Sequence, residues 1–312
     1  MNVLITGGAG YVGSVLIPYL LECGYKVRVL DNLMYGGLGL VPHCLNPNFE
    51  FIKGDIRDPD TVREAVWDAD VIIHLAAIVG YPACKKNPQL AEEVNLNGTV
   101  NLDRARSKGQ LAIFASTGSN YGHVADGVCT EETPLNPLTL YGVTKTEAEK
   151  RLLESGNVII YRFATAFGLS PRLRLDLMIN DFVYQAVVHR QLIVYEKQFR
   201  RTFIHVQDMA RSFLFAIDHA AQMRDGVFNV GSEVANLTKE DVALMIRQKI
   251  NYFLHFADID QDEDQRNYAV SFSRIRNLGF NSMISVEEGI DELIRGFQLI
   301  SIPNPYSNVS SA

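Results

Sequence analysis

Cysteines are few in this 312-residue sequence, and they lie far apart. Cys23, Cys44, Cys84 and Cys129 include no Cys-x-x-Cys pair. A disulfide framework or a zinc site of the usual kind needs cysteines at close, regular spacing. The sequence therefore supports neither, and we expect ordinary buried or half-buried thiols and no metal site.

Excess positive charge is missing as well. Lysine and arginine total 29 against 36 aspartates and glutamates, which gives a formal net charge of −7. This balance gives no electrostatic reason to expect nucleic acid or an anionic membrane as a partner. An anionic small molecule would need a local group of cationic side chains.

Long apolar runs are absent too. The opening "MNVLITGGAG" has no basic segment, and its apolar run is far too short for a signal peptide or a membrane-spanning helix. We therefore expect a soluble, cytoplasmic protein. Because 47% of its residues are apolar, the chain can bury a substantial core in one or two domains.

Short apolar runs recur through the first half of the chain, with helix-length segments between them. The runs are "NVLIT" at 2, "KVRVL" at 26, "FEFI" at 49, "DVIIHLA" at 70, "LAIFAS" at 111 and "VIIYRF" at 158. Nearly continuous apolar runs are typical of strands buried on both faces of a parallel sheet. The alternation predicts an α/β fold with a doubly wound parallel sheet of the Rossmann type.

The pattern changes after about residue 166, where arginines and Gly or Pro punctuation become frequent. We expect a dinucleotide-binding domain from 1–166 plus about 203–231, and a smaller substrate-binding lobe from 167–202 plus 232–300. The strand-like "TFIHV" and "VFNVG" would return to the main sheet, so that the two parts interleave. We expect the polar tail, 301–312, to be mobile.

A glycine-rich turn follows the first predicted strand directly. In "LITGGAGYVG", Gly7 would permit the tight turn, Gly10 would let the backbone approach a pyrophosphate, and Gly13 would allow close helix packing. The alternative is a plain strand-to-helix turn. The position of the motif between a strand and a helix favours a dinucleotide site.

Asp31 strengthens this interpretation. It ends the second predicted strand about 20 residues after the glycines, where an acid bonds the ribose hydroxyls of a dinucleotide. A carboxylate there would repel a 2′-phosphate, so we expect NAD(H) rather than NADP(H). The alternative is a solvated loop acid.

A tyrosine and a lysine lie four residues apart in "YGVTK". At that spacing Tyr141 and Lys145 share one face of a predicted helix, and an ammonium near a phenol lowers the phenol's pKa. Tyrosine then becomes usable as a base near neutral pH. Thr117 stands before this pair, in "FASTGSNYG" at the end of a predicted strand. A helix surface pair and a capping threonine are the alternatives.

Together, the glycine turn, Thr117, Tyr141 and Lys145 resemble the extended short-chain dehydrogenase/reductase family, and within it the nucleotide-sugar epimerases, dehydratases and dehydrogenases. The resemblance covers residues 1 to 300. It implies an NAD-dependent enzyme in which the Tyr141 phenolate takes a proton from a sugar hydroxyl and Thr117 bonds the oxygen. Lys145 would hold the phenolate and the nicotinamide ribose while hydride passes to the nicotinamide.

The resemblance also implies contacts to both ligands. The further cofactor-binding residues would be Tyr11, Val12, Asn32, Asp55, Ile56, Leu75, Ala76, Ala77 and Asn95, the last also steadying the active-site helix. The substrate-binding residues would be Val79, Thr117, Ser119, Asn120, Thr165, Arg174, Asn180, Arg201 and Arg266. For Arg201 and Asn180 the alternatives are a solvated surface arginine and a helix-capping asparagine.

Departures from the family pattern bear on the reaction. The 4,6-dehydratases carry Asp-Glu after the threonine, whereas Gly118 and Ser119 stand here, so elimination of water by that mechanism is not expected. Thr165 replaces the asparagine that the epimerases have in "RYFN", which favours a plain redox enzyme. The segment "SPRLRLDLMINDF" at 170–182 is similar to a bacterial subgroup that includes GDP-heptose 4-dehydrogenases of capsule biosynthesis.

The expected activity is therefore NAD-dependent oxidoreduction at C4 of a nucleotide-diphosphate sugar, with a GDP-heptose 4-dehydrogenase as the first interpretation. A 4-epimerase is the alternative, and a non-catalytic NAD-sensing protein on the same fold is less favoured because such proteins lack the tyrosine and lysine. The resemblance further implies a homodimer, formed through the helices predicted at 88–107 and 141–155.

Overall fold

A computed structural model describes residues 1–122, 127–257 and 268–300 of the chain. Arg266 and the tail from 301 to 312, for which the sequence made predictions, lie outside the described residues. In the described part the strands are β1 (Asn2–Thr6), β2 (Lys26–Asp31), β3 (Phe49–Lys53), β4 (Val71–His74), β5 (Leu111–Thr117), β6 (Val128–Cys129), β7 (Val158–Phe163), β8 (Thr165–Phe167), β9 (Gln191–Tyr195), β10 (Arg200–His205), β11 (Gly226–Val230), β12 (Asn236–Thr238), β13 (Phe253–Ala257) and β14 (Ala269–Val270).

The helices alternate with the strands through the first half, as the sequence predicts. They are α1 (Gly13–Glu22), α2 (Pro59–Val66), α3 (Tyr81–Lys86), α4 (Pro88–Glu92), α5 (Gly98–Ala105), α6 (Leu140–Ser155), α7 (Met178–Tyr184), α8 (Val206–Asp218), α9 (Ala220–Met223), α10 (Lys239–Lys249), α11 (Ser273–Asn277) and α12 (Val286–Leu299). A π-helical turn, Glu93–Asn97, joins α4 to α5. None of these helices is both long and apolar enough to cross a lipid bilayer.

Seven parallel strands form the main sheet in the order β11-β7-β5-β4-β1-β2-β3. Six of them are the apolar runs identified in the sequence, and the order is that of a doubly wound dinucleotide-binding sheet. Two of the inner strands, β4 and β7, are buried at every residue, because helices cover both faces of the sheet. The predicted fold class is confirmed.

One predicted strand lies elsewhere. The segment "VFNVG" joins the main sheet as β11, but "TFIHV" falls in β10, which pairs with β8 and β12 in a separate three-stranded sheet. The prediction that it returns to the main sheet is wrong. Both sides of β7 are already occupied, by β5 and by β11, so β10 has no free edge there.

The smaller lobe has its own apolar core. Buried side chains of α7, α10 and α12 pack together there, and β9 adds Leu192 and Val194. Both α10 and α12 begin with capping boxes, through Thr238 with Asp241 and Ser285 with Glu288. This core stands beside the carboxyl ends of the main strands and forms the second wall of the site.

Candidate active site

A cavity of about 830 Å³ lies at the carboxyl ends of the parallel strands. Its wall includes residues that end or follow β1, β2, β3, β4, β5 and β7, and the smaller lobe supplies the facing residues. In doubly wound sheets this edge is where ligands bind, because the strand order reverses there and opens a crevice. The cavity is therefore the candidate active site.

The glycine-rich turn forms the floor of the cavity. Gly7 has φ +73°, and a Cβ placed on it would lie only 2.7 Å from the backbone nitrogen of Ala76. A Cβ on Gly13 would lie 2.5 Å from Cα of Gly8, so both positions require glycine. Helix α1 starts at Gly13 and has no side-chain cap, so the positive end of its dipole faces the turn. This cradle fits the pyrophosphate of a dinucleotide.

Asp31 lies beside that turn. Its Oδ2 accepts the backbone N–H of Ala9 at 3.0 Å, and its Oδ1 accepts the N–H of Leu33 at 2.8 Å. Burial raises the pKa of Asp31, and the two N–H donors oppose that rise. The carboxylate thus stands at the cavity with fixed orientation, as contact with a ribose requires, and it is not a solvated loop acid.

Asp55 completes the wall next to Asp31. Hydrogen bonds from Arg57 lower the pKa of Asp55 to about 2, although its partial burial opposes that shift. Asn32 donates from Nδ2 to Oδ2 of Asp55 at 2.9 Å. The ends of β2 and β3 are thereby tied together where the sequence predicts the adenosine half of the cofactor.

Tyr141 and Lys145 lie in the first turns of α6, which is capped by the Thr139 hydroxyl. Both line the cavity. Lys145 is only 2% exposed, and its Nζ lies 3.9 Å from the centre of the Phe114 ring. Burial lowers the pKa of Lys145 to about 7, while Glu149 acts in the opposite direction. The lysine is therefore poised between its two charge states near neutral pH.

Thr117 ends β5 and also lines the cavity. Its Oγ1 accepts the backbone N–H of Ser119 at 3.1 Å and so caps the short 3₁₀ helix Gly118–Tyr121. Thr117 therefore both caps this helix and faces the cavity, two roles that the sequence offered as alternatives. The structure thus places Thr117, Tyr141 and Lys145 on the wall of a single cavity.

A buried carboxylate lies beneath this group. Glu149 accepts from the Ser116 hydroxyl at 2.8 Å and from Nδ2 of Asn120 at 3.1 Å, and it forms an ion pair with Arg162. Sequence reasoning missed Glu149. Its position one helical turn beyond Lys145 was the available signal, because residues four apart share a helix face.

Most of the predicted site residues line the cavity. Those that do are Gly7, Gly10, Tyr11, Val12, Gly13, Asp31, Asn32, Asp55, Ile56, Leu75, Ala76, Ala77, Val79, Thr117, Ser119, Tyr141, Lys145, Thr165, Arg174 and Arg201. Arg201 is only 7% exposed, so it is not a solvated surface arginine.

Three predicted asparagines lie behind the wall instead of on it. Asn95 accepts the N–H of Ile78 at 2.8 Å and donates to the Thr144 hydroxyl at 3.3 Å, which ties it to α6 beside Lys145. Asn120 donates to Glu149, and Asn180 is wholly buried with its Oδ1 accepting the N–H of Gly168 at 2.9 Å. These amides bond the protein itself and support the wall, and the ligand contacts that the sequence predicts for them stay predictions.

Other cavity residues were missed. Tyr35, Asp176 and Lys239 all line the wall, yet they come from three separate segments. Arg172 lies over the Tyr35 ring, with its guanidinium carbon 4.2 Å from the ring centre. No local pattern in the sequence marks these residues, since only the packing of the lobe against the sheet brings them together.

Comparison with known proteins agrees with this architecture. The NAD dependent epimerase/dehydratase family matches residues 3–231. A low-salt glycan biosynthesis protein, Agl12, of Haloferax volcanii is 32% identical, over 94% of this chain and 97% of that protein. The CDP-paratose 2-epimerase of Salmonella typhi is 26% identical, over 94% of this chain and 98% of that one.

Solved structures give the same result. The UDP-glucuronic acid 4-epimerase from Bacillus cereus, in complex with UDP-glucuronic acid and NAD, superimposes with a TM-score of 0.85 at 25% identity. The match covers 96% of this chain and 99% of that one. The dTDP-glucose 4,6-dehydratase from Bacillus anthracis, in complex with NAD, gives a TM-score of 0.82 at 25% identity, over 96% and 97% of the two chains.

Proposed function

Because the chain belongs to the NAD dependent epimerase/dehydratase family, we propose that it acts on a nucleotide-diphosphate sugar, oxidising the C4 hydroxyl and then reducing C4 again as a 4-epimerase. The single observation that carries the proposal is the convergence of Thr117, Tyr141 and Lys145 on a cavity that also contains the glycine cradle. Proton transfer and cofactor binding then occur in one crevice.

Tyr141 is the group that moves the proton. As a phenolate it removes the proton of the sugar hydroxyl, and as a phenol it returns one when the ketone is reduced. An ammonium at Lys145 favours the phenolate, and the hydroxyl of Thr117 holds the reacting oxygen. These groups are fixed in advance by α6 and β5, so little reorganisation is needed during the reaction.

NAD fits the residues that line the other half of the cavity. The glycine turn from Gly7 to Gly13 would hold its pyrophosphate, and Asp31 would hold the adenosine ribose. When bound, NAD supplies the hydride acceptor that the protein's own side chains lack.

Contacts across the cleft favour a cofactor that stays in place through the cycle. The Tyr11 hydroxyl donates to the carbonyl of Gly168 at 2.7 Å, and the hydroxyls of Ser14 and Ser170 lie 3.0 Å apart. Together with the stacking of Arg172 on Tyr35, these contacts join the smaller lobe to the cofactor side. Retention of the cofactor suits a reaction that leaves it unchanged, which supports the 4-epimerase over a net dehydrogenase.

Loss of water from the sugar is not part of the proposal. Gly118 and Ser119 follow Thr117, and neither side chain has a carboxyl group to act as acid or base at C5 and C6. The Ser119 hydroxyl instead accepts from that of Thr117 at 3.1 Å. The product should therefore keep its C6 oxygen.

The cationic residues of the cavity suit the diphosphate. Arg201 and Lys239 line the lobe side, and Lys239 donates from Nζ to the carbonyl of Tyr195 at 3.1 Å. Guanidinium and ammonium groups bind phosphate oxygens strongly in a partly buried site. They supply the local positive charge that a chain of net charge −7 needs for an anionic substrate.

A GDP-heptose 4-dehydrogenase is the second candidate. It is favoured by Thr165, which lines the cavity where the epimerases have an asparagine, and by the segment at 170–182. Incubating the enzyme with a panel of UDP-, GDP-, CDP- and dTDP-sugars separates the two. An epimerase forms a C4-inverted sugar without accumulating NADH, whereas a dehydrogenase releases one NADH for each ketone. Failure of every sugar nucleotide to react would refute the proposal.

We also propose a homodimer formed through α5 and α6. Val143 on α6 is 41% exposed in the single chain, and the family arrangement implied by the sequence would cover this face. The mass measured in solution by light scattering should be twice 34.9 kDa. A monomer at micromolar concentration would contradict this.

A further inference from the structure

Arg174 and Asp176 form an ion pair on the wall of the cavity. Nε of Arg174 donates to Oδ1 of Asp176 at 3.1 Å, and Nη2 donates to Oδ2 at 2.6 Å. The two side chains are only 11% and 12% exposed. Two parallel, charge-assisted hydrogen bonds in a largely buried place fix the orientation of both groups.

The pair and the proposed base, Tyr141, line the same cavity. Burial opposes the charge of Arg174, but Asp176 outweighs burial and raises the pKa of Arg174, with smaller contributions from Tyr141 and Tyr11. A Cβ placed on Gly80 would lie 3.9 Å from Nη2 of Arg174 and 4.0 Å from Oδ2 of Asp176. The pair thus lies next to Gly80, in the segment after β4, on the wall of the cavity that Tyr141 also lines.

The pair brings one positive and one negative charge to this part of the wall. Asp176 engages the Nε–Nη2 side of the guanidinium, and Nη1 of Arg174 has no hydrogen-bond partner among the residues that the structure describes. Arg172, the other arginine of the segment, lies over the Tyr35 ring and covers a different part of the cavity. This part of the wall therefore offers a donor at Arg174, and the carboxylate of Asp176 has several acceptor positions.

Hydroxyl and carboxylate groups respond differently to such a pair. A sugar hydroxyl both donates and accepts, so it satisfies Nη1 of Arg174 and an oxygen of Asp176 together. A carboxylate on the sugar can only accept hydrogen bonds, and the negative charge of Asp176 would repel it. The sugar carboxylate would also lose its hydration in this largely buried place, which costs free energy. An arginine without a paired acid would favour the carboxylate instead.

We propose that the Arg174–Asp176 pair makes the enzyme selective for a neutral sugar, by bonding the hydroxyl at C6 and rejecting a carboxylate at that carbon. This inference rests on the proposed function. It narrows the substrate class to nucleotide sugars that carry a hydroxyl, and not a carboxylate, at C6. Asp176 and Arg174 are thus both specificity-determining residues, the first as acceptor and the second as donor.

The experiment uses pairs of substrates that share a nucleotide and differ only at C6. UDP-glucose is compared with UDP-glucuronate, and GDP-mannose with GDP-mannuronate, by calorimetric binding and by kcat/KM in the NAD-bound enzyme. The variants are Asp176→Asn, which frees the fork of Arg174, and Arg174→Gln, which removes it. Asp181→Asn is the matched control, because it removes a carboxylate that lines the same cavity but bonds Gln185 instead.

We expect the wild-type enzyme to prefer the neutral member of a pair by about tenfold or more, from the cost of placing two like charges together. D176N should reduce that preference by at least about tenfold. R174Q should not raise kcat/KM for the uronate sugar. D181N, the control, should leave the ratio of neutral to uronate kcat/KM within about twofold of wild type. Equal use of both members by the wild type, or an unchanged ratio in D176N, would overturn the inference and leave the proposed function standing. If none of the four compounds binds, the inference is overturned, and the proposed function fails only if no sugar nucleotide of the wider panel reacts.

Discussion

The carboxylate of Glu149 and the guanidinium of Arg162 form an ion pair that is almost wholly buried beneath the catalytic end of β5, with side-chain exposures of 2% and 6%. Glu149 also bonds Ser116, the residue before Thr117. One carboxylate therefore ties α6, which carries Tyr141 and Lys145, to the strand that carries Thr117.

Removing the charge of Glu149 should destabilise the fold strongly. In Glu149→Gln the guanidinium of Arg162 stays buried without a counter-charge, and we expect a loss of about 3–5 kcal/mol of unfolding free energy. Urea denaturation measures it. Glu147→Gln is the control on the same helix, because Glu147 pairs with Lys150 at the surface and its loss should have no measurable effect. Equal stability of E149Q and E147Q would show that the buried pair is not needed.

The buried Lys145 should lower the unfolding free energy of the protein at neutral and acid pH. Burial lowers its pKa to about 7, from a usual value of 10.5, so between these two pH values the unfolded chain binds a proton that the folded chain does not. Stability then rises with pH across that window. Lys145→Met should therefore stabilise the protein below pH 7, by about 2–4 kcal/mol, and this gain should shrink as pH rises toward 10.5.

The measurement is urea denaturation of wild type and K145M at several pH values. The variant should be inactive at every pH tested, because it lacks the ammonium that favours the phenolate of Tyr141. A gain in stability together with a loss of activity is typical when a catalytic group is held at a cost in stability. A variant that is less stable than wild type at pH 6, or whose difference does not change with pH, would refute the lowered pKa.

Tyr141→Phe should abolish turnover without affecting cofactor binding. Removing the phenolic hydroxyl takes away the proton acceptor, and a loss of about 10²–10⁴-fold in kcat is typical for a general base. NAD affinity, measured by calorimetry, should stay within about twofold, because the ring that packs in the cavity remains. Tyr19→Phe is the control, since the Tyr19 hydroxyl bonds Gln207 away from the cavity. Full activity in Y141F would disprove the catalytic assignment.

Asp31→Asn should weaken the preference for NADH over NADPH. The amide keeps an acceptor for the N–H of Ala9 or Leu33 but no longer repels a 2′-phosphate, so the affinity ratio should fall by about tenfold or more. Titrating wild type and variant with both reduced cofactors gives the ratio directly. If the wild type bound NADPH more tightly, the role given to Asp31 would be wrong.

The main sheet could be predicted because its signals are local. Short apolar runs marked β1, β2, β4, β5 and β7, and the Val, Ile and Leu residues of these strands are all buried in the structure. Gly7 and Gly13 followed from the demands of a tight turn and of close packing, which no other residue meets.

The site facing the sheet could not be predicted in the same way. The pairing of β10 with β8 depends on which strand edges remain free, and that is a property of the whole fold. Asn180 is the right residue type for a phosphate contact, but its amide holds Gly168. The pairing of Arg174 with Asp176 determines which groups this part of the cavity wall can bind. The two residues are two positions apart in the sequence, and that spacing alone does not predict that their side chains point toward each other.

Deuterium at C4 of the substrate distinguishes epimerisation at that carbon from net oxidation and from loss of water. The NAD-bound enzyme is incubated with a nucleotide sugar that reacts in the panel, labelled at C4, and the product is analysed by nuclear magnetic resonance and mass spectrometry. A 4-epimerase forms a product that is inverted at C4 and retains both the deuterium at that carbon and the oxygen at C6. A product that has lost the label from C4 or the oxygen from C6 would contradict the proposed 4-epimerase.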